Sequence, residues 1–304
     1  MDEKEWLAGR FQERRPELRA VAYRMLGSLV EADDAVQDAW ERVNRARADE
    51  VENLNAWLTT IVARVCLNAL RARNVRREDS AGVLVPDPVV AIDGQLLPED
   101  EALMADSVGL ALQVVLDTLS PAERLAFVLH DMFDLPFDEI GPLMGRTTQA
   151  TRQLASRARR RVRDAEIPRP ERDLARQRAV VNAFFAAGRA GDFSALVALL
   201  HPDVVLRADF SPRRRQSTVI RGAEAVARAA QLGARPERRV LPALVNGAAG
   251  VVIIMGGRPL AIMAFTVSDD RIIEIDSIGD PERVERLTAE FRTGLARGSR
   301  VEAQ

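Results

Sequence analysis

The sequence predicts a multidomain protein in which two all-α domains are followed by an α+β domain. Three observations predict this. Apolar residues recur at helical spacing from about Trp6 to Glu78 and again from Val108 to Arg163. Two proline-bearing breaks separate these blocks from each other and from the C-terminal region. After the second break, the runs VVIIMGG, PLAIMAFTV and IIEIDSI replace helical periodicity with the dense apolar character of strands. The boundaries drawn from these changes are a first helical domain at 1–78, an acidic linker at 79–107, a second helical domain at 108–166, a short linker at 167–176 and the α+β domain at 177–304.

In the first block, EADDAVQDAWERV places Val36, Ala39, Trp40 and Val43 on one face of a helix, toward a core. Asp34, Gln37, Asp38 and Glu41 line the opposite face at i, i+3, i+4 and i+7. Such a face is either simply solvated or a dock for a basic helical partner. The next helix, NAWLTTIVARVCLNALRARNVRR, buries Trp57, Leu58, Ile61, Val62, Val65 and Leu70 and presents Arg64, Asn68 and Arg71 on a polar, basic side. The polar stretch before it, Asn44 to Asn55 with Asn53 and Asn55 at its end, has the composition to hold an unstacked base.

The linker from Asp79 to Asp106 loses periodicity, gathers Pro86, Pro88 and Pro98, and is acidic. Helical pattern then resumes and ends in the chain's most informative stretch, LPFDEIGPLMGRTTQATRQLASRARRRV. Phe137, Ile140, Leu143 and Met144 recur at helical spacing, Gly145 supplies a sharp turn, and Thr147 can cap a second helix. This is a helix-turn-helix pattern, with seven arginines and no acid between Ile140 and Arg163. Ala150, Leu154, Ala158 and Val162 form its apolar stripe. Thr148, Gln149, Arg152, Gln153, Ser156, Arg157 and Arg160 are left outside, where arginine and glutamine suit bidentate contacts to base edges and later arginines suit phosphates.

The whole composition limits the functions available. Forty-three basic residues balance 45 acidic ones, so the basic helices are local patches offset by acidic surfaces elsewhere. One cysteine, Cys66, and two histidines, His130 and His201, exclude a disulfide framework and a Cys/His zinc site, and no metal is expected. The opening MDEKEWLAGRF lacks a signal-peptide core, and no apolar run has the length of a membrane span. The expectation is a cytoplasmic protein that makes no membrane contact.

In this order and spacing the segments resemble the extracytoplasmic-function type of bacterial sigma factor. EADDAVQDAWERV is similar to the family's core-polymerase-binding segment, and NAWLTTIVARVCLNALR to its promoter-melting segment. LDTLSPAERLAFVLHDMFDLPFDEIGPLMGRTTQATRQLASRARRRV resembles its sigma-4 domain, with Gly141 where the family often has Ala. The resemblance covers about residues 6–163, so 1–78 corresponds to a sigma-2 helical bundle and 108–166 to a sigma-4 helix-turn-helix. It implies that Asp34, Gln37, Asp38 and Glu41 dock on core RNA polymerase. Asn53, Asn55, Arg64, Asn68 and Arg71 would meet promoter DNA opening at the −10 element, and the recognition helix would read the −35 element. The acidic linker would run toward the polymerase active-site channel.

The remainder resembles a SnoaL-like (NTF2-like) α+β cone, an extension that some of these sigma factors carry. Three motifs of that subgroup have diverged counterparts here: Gly82-Val-Leu-Val-Pro-Asp-Pro88, Asp209-Phe-Ser-Pro-Arg213 and Asp280-Pro-Glu-Arg-Val284. The resemblance implies a regulatory contact made by Leu84, Pro86, Asp87 and Pro88 with Asp209, Arg213, Asp280, Pro281 and Arg283. It implies no cofactor and no catalytic residue. A separate anti-sigma protein is compatible with a fused regulatory domain but not required by it, and a small-molecule ligand of the cone is left open. Two other readings stand beside this one. The cone could be an enzyme of the isomerase or cyclase type, with Asp209, His201 and Asp276 as acid/base candidates in an apolar pocket. The chain could also be a plain repressor or activator, which leaves the acidic and melting-type helices without a role.

Overall fold

The structure, a computed structural model, describes residues 3–45, 53–77, 85–92, 110–165, 171–210 and 217–289. The chain forms two units, one made of Met1–Ser80, Leu97–Val108 and Leu112–Ile167, the other of Ala81–Leu96, Gly109–Ala111 and Pro168–Gln304.

The first unit is all-α. Helices α1 (Glu3–Leu26), α2 (Leu29–Val43) and α3 (Leu54–Arg77) pack against one another. Their buried faces carry Leu18, Tyr23, Met25, Val36, Leu58 and Val62, and Phe11 stacks beside Trp40 at 5.0 Å. Gly27, at φ +74°, makes the turn between α1 and α2 in a conformation that favours glycine. Next come α4 (Leu110–Thr118) and α5 (Pro121–Phe127), the latter opened by a Ser120–Glu123 capping box and continued by one π turn over Val128–Met132. The helix-turn-helix is α6 (Phe137–Met144) and α7 (Thr148–Asp164).

The second unit is one seven-stranded sheet with helices on it. In chain order its elements are β1 (Val90–Ile92), α8 (Leu174–Ala190), α9 (Phe193–Leu199), β2 (Leu200–Asp209), β3 (Ser217–Arg221), α10 (Ala223–Gly233), β4 (Arg238–Val245), β5 (Ala248–Met255), β6 (Arg258–Ser268), β7 (Arg271–Ile278) and α11 (Pro281–Leu287). The strand order is β1-β4-β5-β6-β7-β2-β3, antiparallel throughout except for the parallel pair β2 and β7. Both sheet faces are covered, which explains the unbroken run VVII in β5. Val251 and Ile253 join one core with Val181, Phe184, Leu196 and Phe265, while Val252 and Ile254 join the other with Val85, Ile262, Ile278 and Val284. The hairpin turns Asn246-Gly247, Gly256-Gly257 and Asp269-Asp270 each have both residues at positive φ, the twist that suits two-residue hairpins.

Two boundaries differ from the sequence reading. Part of the segment read as linker, Val90–Ile92, is an edge strand of this sheet and pairs Val90 with Val245, Ala91 with Leu244 and Ile92 with Ala243. Its only determinant is a partner far along the chain, so local pattern could not register it. The C-terminal domain also starts before residue 177: Glu171 N–H donates to Val267 O at 2.8 Å, and Asp173 caps α8.

Candidate nucleic-acid interface and linker clasp

The helix-turn-helix is built locally. Gly145 ends α6 at φ +65°, and the Thr147 side chain accepts from Ala150 N–H at 3.2 Å to start α7. Helix α7 lies close on α6 because Gly141 faces it without a side chain. A Cβ there would come within 2.7 Å of Arg146 O and 3.3 Å of the Thr151 hydroxyl. The buried line of α7 is therefore Thr151, Ala155 and Ala158, with Ala150, Leu154 and Val162 at its half-buried flank. The stripe read from sequence is thus rotated by about one residue. Thr151 joins the interior because its hydroxyl donates to Thr147 O at 3.0 Å, which satisfies its polarity.

Gln149, Arg152, Gln153, Ser156, Arg157 and Arg160 are exposed along the opposite face, with Thr148 half-buried at its start. The seven arginines are not equivalent. Arg159 donates to Asp131 at 2.6 Å and Arg161 to buried Glu123 at 3.2 Å, so these two hold α7 to the rest of its domain. Burial of Glu123 pushes its carboxyl up. The hydrogen bonds from Ser120 and the charges of Arg161 and Arg157 outweigh that and leave it below the ordinary range. The remaining arginines, Arg152 above all, have no ion-pair partner among the described residues; the Arg152 guanidinium lies 5.9 Å from the centre of the Phe137 ring.

On α2, Asp34, Gln37, Asp38 and Glu41 are all exposed, while Ala35, Val36, Ala39 and Val43 are buried. Their acidic neighbours are engaged within the unit: Arg19 donates to Asp33 at 2.7 Å, and Arg73 pairs with Glu31. Glu41 is bridged by exposed Arg45 at 3.0 Å, whereas Asp34 and Asp38 have no partner among the described residues. On α3, Arg64, Asn68 and Arg71 are exposed at i, i+4 and i+7. Asn53 and Asn55 are exposed at the start of α3, but Asn53 has a structural function as well. Its side-chain oxygen accepts from Ala56 N–H at 3.1 Å, capping the helix. Residues 46–52 lie outside the described residues.

A joint that sequence reading missed ties the two helical regions of this unit together. The last carbonyls of α1 run out of helical N–H donors, and side chains from elsewhere reach them; Tyr23 O also accepts from Gly27 N–H at 2.8 Å. Arg124 Nε donates to Arg24 O at 3.0 Å, Gln113 Nε2 to Tyr23 O at 3.3 Å, and Arg73 Nη1 to Leu26 O at 3.0 Å. Arg124 is buried and also pairs with Asp117. Cationic donors at a helix C-terminus are favoured by its partial negative charge. The signal was a lone arginine and glutamine inside apolar helices. Burial beside this joint pushes the Cys66 thiol up to about 12, against the opposing charge of Arg124, so the thiol stays protonated.

In the second unit, the three diverged motifs converge on Arg283. Its Nε donates to Asp87 at 2.7 Å, its Nη1 to Asp209 at 2.6 Å and its Nη2 to Val85 O at 2.6 Å. Asp280 caps α11, accepting from the Arg283 N–H at 2.9 Å, and Pro281 occupies the first turn. Pro86 and Pro88 are buried beside Asp87. Leu84 and Arg213 lie outside the described residues. Sequence reading did not find two other members. Asn246 receives Val89 N–H on its side chain at 2.7 Å and returns its own N–H to Val89 O at 2.8 Å, and Arg286 stands 3.5 Å from Asp87.

None of the acid/base candidates of the enzyme reading lines either of two cavities of this unit. The large cavity of this unit, about 420 Å³, lies between α8, α10 and the sheet, and Ala208, Phe210, Ile275 and Ser277 line it. Strand side chains alternate between faces, so Asp209 and Asp276 belong to the opposite side. Asp276 is buried with Arg207, which donates to it at 3.2 Å and to Glu274 at 2.8 Å. Burial pushes Asp276 up to about 6 against the pull of Arg207. His201 is outside the cavity too, and its Nδ1 accepts from Asp203 N–H at 3.2 Å.

An exposed basic helix with a capped turn, in one unit with a helical bundle that bears an exposed acidic face, is the pattern of a DNA-binding protein. Comparison with known proteins makes this specific. Residues 10–76 match Sigma-70 region 2 and residues 109–162 match Sigma-70, region 4. The chain is 36% identical to the ECF RNA polymerase sigma factor SigJ of Mycobacterium tuberculosis, over 90% of this chain and 91% of that one. It is 30% identical to the probable ECF RNA polymerase sigma factor SigI of the same species, over 90% of this chain and 93% of that one. The crystal structure of Mycobacterium tuberculosis SigJ superimposes with a TM-score of 0.70 at 34% identity, covering 91% of this chain and 97% of that one. The chain belongs to the ECF RNA polymerase sigma factors. It binds core RNA polymerase and promoter DNA and directs transcription initiation; no described helix is long and apolar enough to cross a membrane.

Proposed function

We propose that this sigma factor is modulated in cis by its C-terminal domain, and that the linker is where the modulation acts. The observation that carries this reading is the clasp on Arg283. The linker lies between the two sigma regions in sequence, yet its Val85–Ile92 stretch is held by the C-terminal sheet through Arg283, Asn246 and the pairing of β1 with β4. A linker so anchored cannot take another path without releasing the C-terminal domain. The resemblance sends this linker toward the polymerase active-site channel, so anchoring it couples the C-terminal domain to initiation.

Within this reading, Asp34, Gln37, Asp38 and Glu41 form the polymerase dock, whose unpaired acids Asp34 and Asp38 set its charge. Arg64, Asn68 and Arg71, with Asn55 and the remaining hydrogen-bonding capacity of Asn53, meet the opening −10 element. Thr148, Gln149, Arg152, Gln153, Ser156, Arg157 and Arg160 face the −35 element. The protein works in the cytoplasm with the polymerase, and a separate anti-sigma protein is compatible with the fused domain but not required by it. The test is run-off transcription with core polymerase using the full chain, a chain ending at Arg169 and the full-length Arg283→Ala variant. Both changes are expected to shift promoter-dependent transcription several-fold in the same direction. Equal transcription from all three would remove cis modulation and leave the sigma activity standing.

A further inference from the structure

The C-terminal cavity has no part in the clasp on Arg283. It holds about 420 Å³, the range of pockets that take a drug-sized molecule. Its walls are apolar: Phe184 and Phe185 from α8, Leu206 and Ile220 from the strands beside it, Leu260 and Met263 from β6. Behind them Phe265 meets both phenylalanines edge-on, at 5.9 and 5.8 Å, which fixes the floor. Phe210, half-exposed at the rim, lies over Gly279, where a Cβ would strike its ring.

The charged side chains that line this cavity have one sign. Arg189, Arg235 and Arg238 line it, while no aspartate, glutamate or histidine does among the described residues. None of the three arginines has an ion-pair partner among the described residues. Arg238 is partly committed, since its Nη1 donates to Gly233 O at 2.8 Å, but its Nε is buried with no hydrogen-bond partner. A buried donor without an acceptor is costly, and an incoming anion would supply the acceptor. Ser277, buried on β7, adds a hydroxyl to the lining. An apolar chamber lined by three arginines, with no acid/base pair among its described lining residues, is built to hold an amphiphilic anion and not to transform it.

We propose that the C-terminal domain binds an apolar carboxylic acid, with the hydrocarbon body between α8, α10 and the sheet and the carboxylate at Arg235 and Arg238. The site stands on the cavity alone and does not depend on modulation in cis. The probe is anilinonaphthalene sulfonate, an apolar anion that fluoresces when shielded from water, titrated into the full chain and displaced with decanoate or with decanol. Decanoate is expected to displace it at a concentration at least about tenfold lower than decanol, because one charge-assisted hydrogen bond carries about that factor. The double variant Arg235→Gln, Arg238→Gln should erase the difference. Ala261→Trp, which places an indole in the chamber, should abolish dye binding while circular dichroism and thermal unfolding stay those of the parent. Equal displacement by decanoate and decanol overturns the proposal without reference to any variant. So does undiminished dye binding by folded Ala261→Trp.

Discussion

Arg283 donates its Nε to the Asp87 carboxylate at 2.7 Å, joining the first turn of α11 to a residue 196 positions earlier. The same guanidinium holds Asp209, and side-chain exposures of 12%, 5% and 6% put all three groups out of bulk water. Burial pushes the Asp209 carboxyl up, while Arg283 opposes the shift and the nearby Asp280 adds to it. The pairing of a buried cation with two buried anions makes loss of the cation far more damaging than loss of a surface charge.

Arg283→Ala should therefore destabilise the C-terminal unit by about 3 kcal/mol, the low end for a broken buried pair, since Arg286 remains close to Asp87. Thermal unfolding reads this directly. Limited proteolysis gives a second readout, with faster cleavage expected between Val85 and Ile92. A variant with the parental unfolding midpoint and cleavage pattern would show that Asn246 and β1 pairing anchor the linker without Arg283.

The acidic face of α2 makes a different prediction because its residues are exposed. Asp38→Arg should weaken holoenzyme assembly with core polymerase by about tenfold or more, since reversal turns attraction into repulsion at an interface. Asp33→Ala is the control. Asp33 is paired with Arg19, so its loss should lower stability slightly and leave core affinity within about twofold. Native gel or fluorescence titration with core polymerase measures both, and equal affinity for the two variants would remove Asp38 from the dock.

What the sequence made legible was what short-range chemistry decides. Gly145 and Thr147 set the helix-turn-helix by φ and by capping, so the turn was readable in place. The run VVIIM was readable as a strand, and the structure adds that it is covered on both faces. Val90–Ile92 was not legible, because two prolines precede it and its strand character comes only from Val245, Leu244 and Ala243. The joint of Arg124 and Gln113 with the end of α1 was hidden for the same reason, since nothing near Arg124 marks it as buried. Asp87, Asp209 and Arg283 were singled out through the family resemblance rather than through local pattern, and Asn246 and Arg286 by neither. The meeting of the two aspartates at one guanidinium could only be seen in three dimensions.

The recognition helix separates reading residues from holding residues. Arg152→Ala or Gln153→Ala should relax base preference in the −35 element, by about 1–3 kcal/mol where a bidentate base contact is lost. Arg160→Ala should weaken binding to all sequences alike and lower the salt slope by about one. Arg161→Ala should do much less to DNA, because Arg161 is engaged with Glu123, and should instead cost some stability. Binding to a panel of single-base promoter variants at several salt concentrations distinguishes the three patterns. Identical effects of Arg160→Ala and Arg161→Ala on the salt slope would refute the division.

Asp276 gives the last prediction, in pH. Its burial holds the carboxyl up at about 6, against an ordinary value of 3.8. Between these values the folded protein keeps a proton that the unfolded chain has released. The contribution of this group to stability is therefore full below about pH 4 and is lost as pH rises through about 6. At about 1.36 kcal/mol per pKa unit, the span is roughly 3 kcal/mol. Asp209 is pushed in the same direction, while Glu123 and Asp192 are held below their ordinary values and titrate at lower pH. The Asp276→Asn variant should accordingly lose most of the difference in thermal midpoint between pH 5 and pH 7 and keep a smaller remainder from Asp209. If parent and variant show the same difference between the two pH values, the Asp276 carboxylate is ionised throughout, and its pairing with Arg207 outweighs its burial.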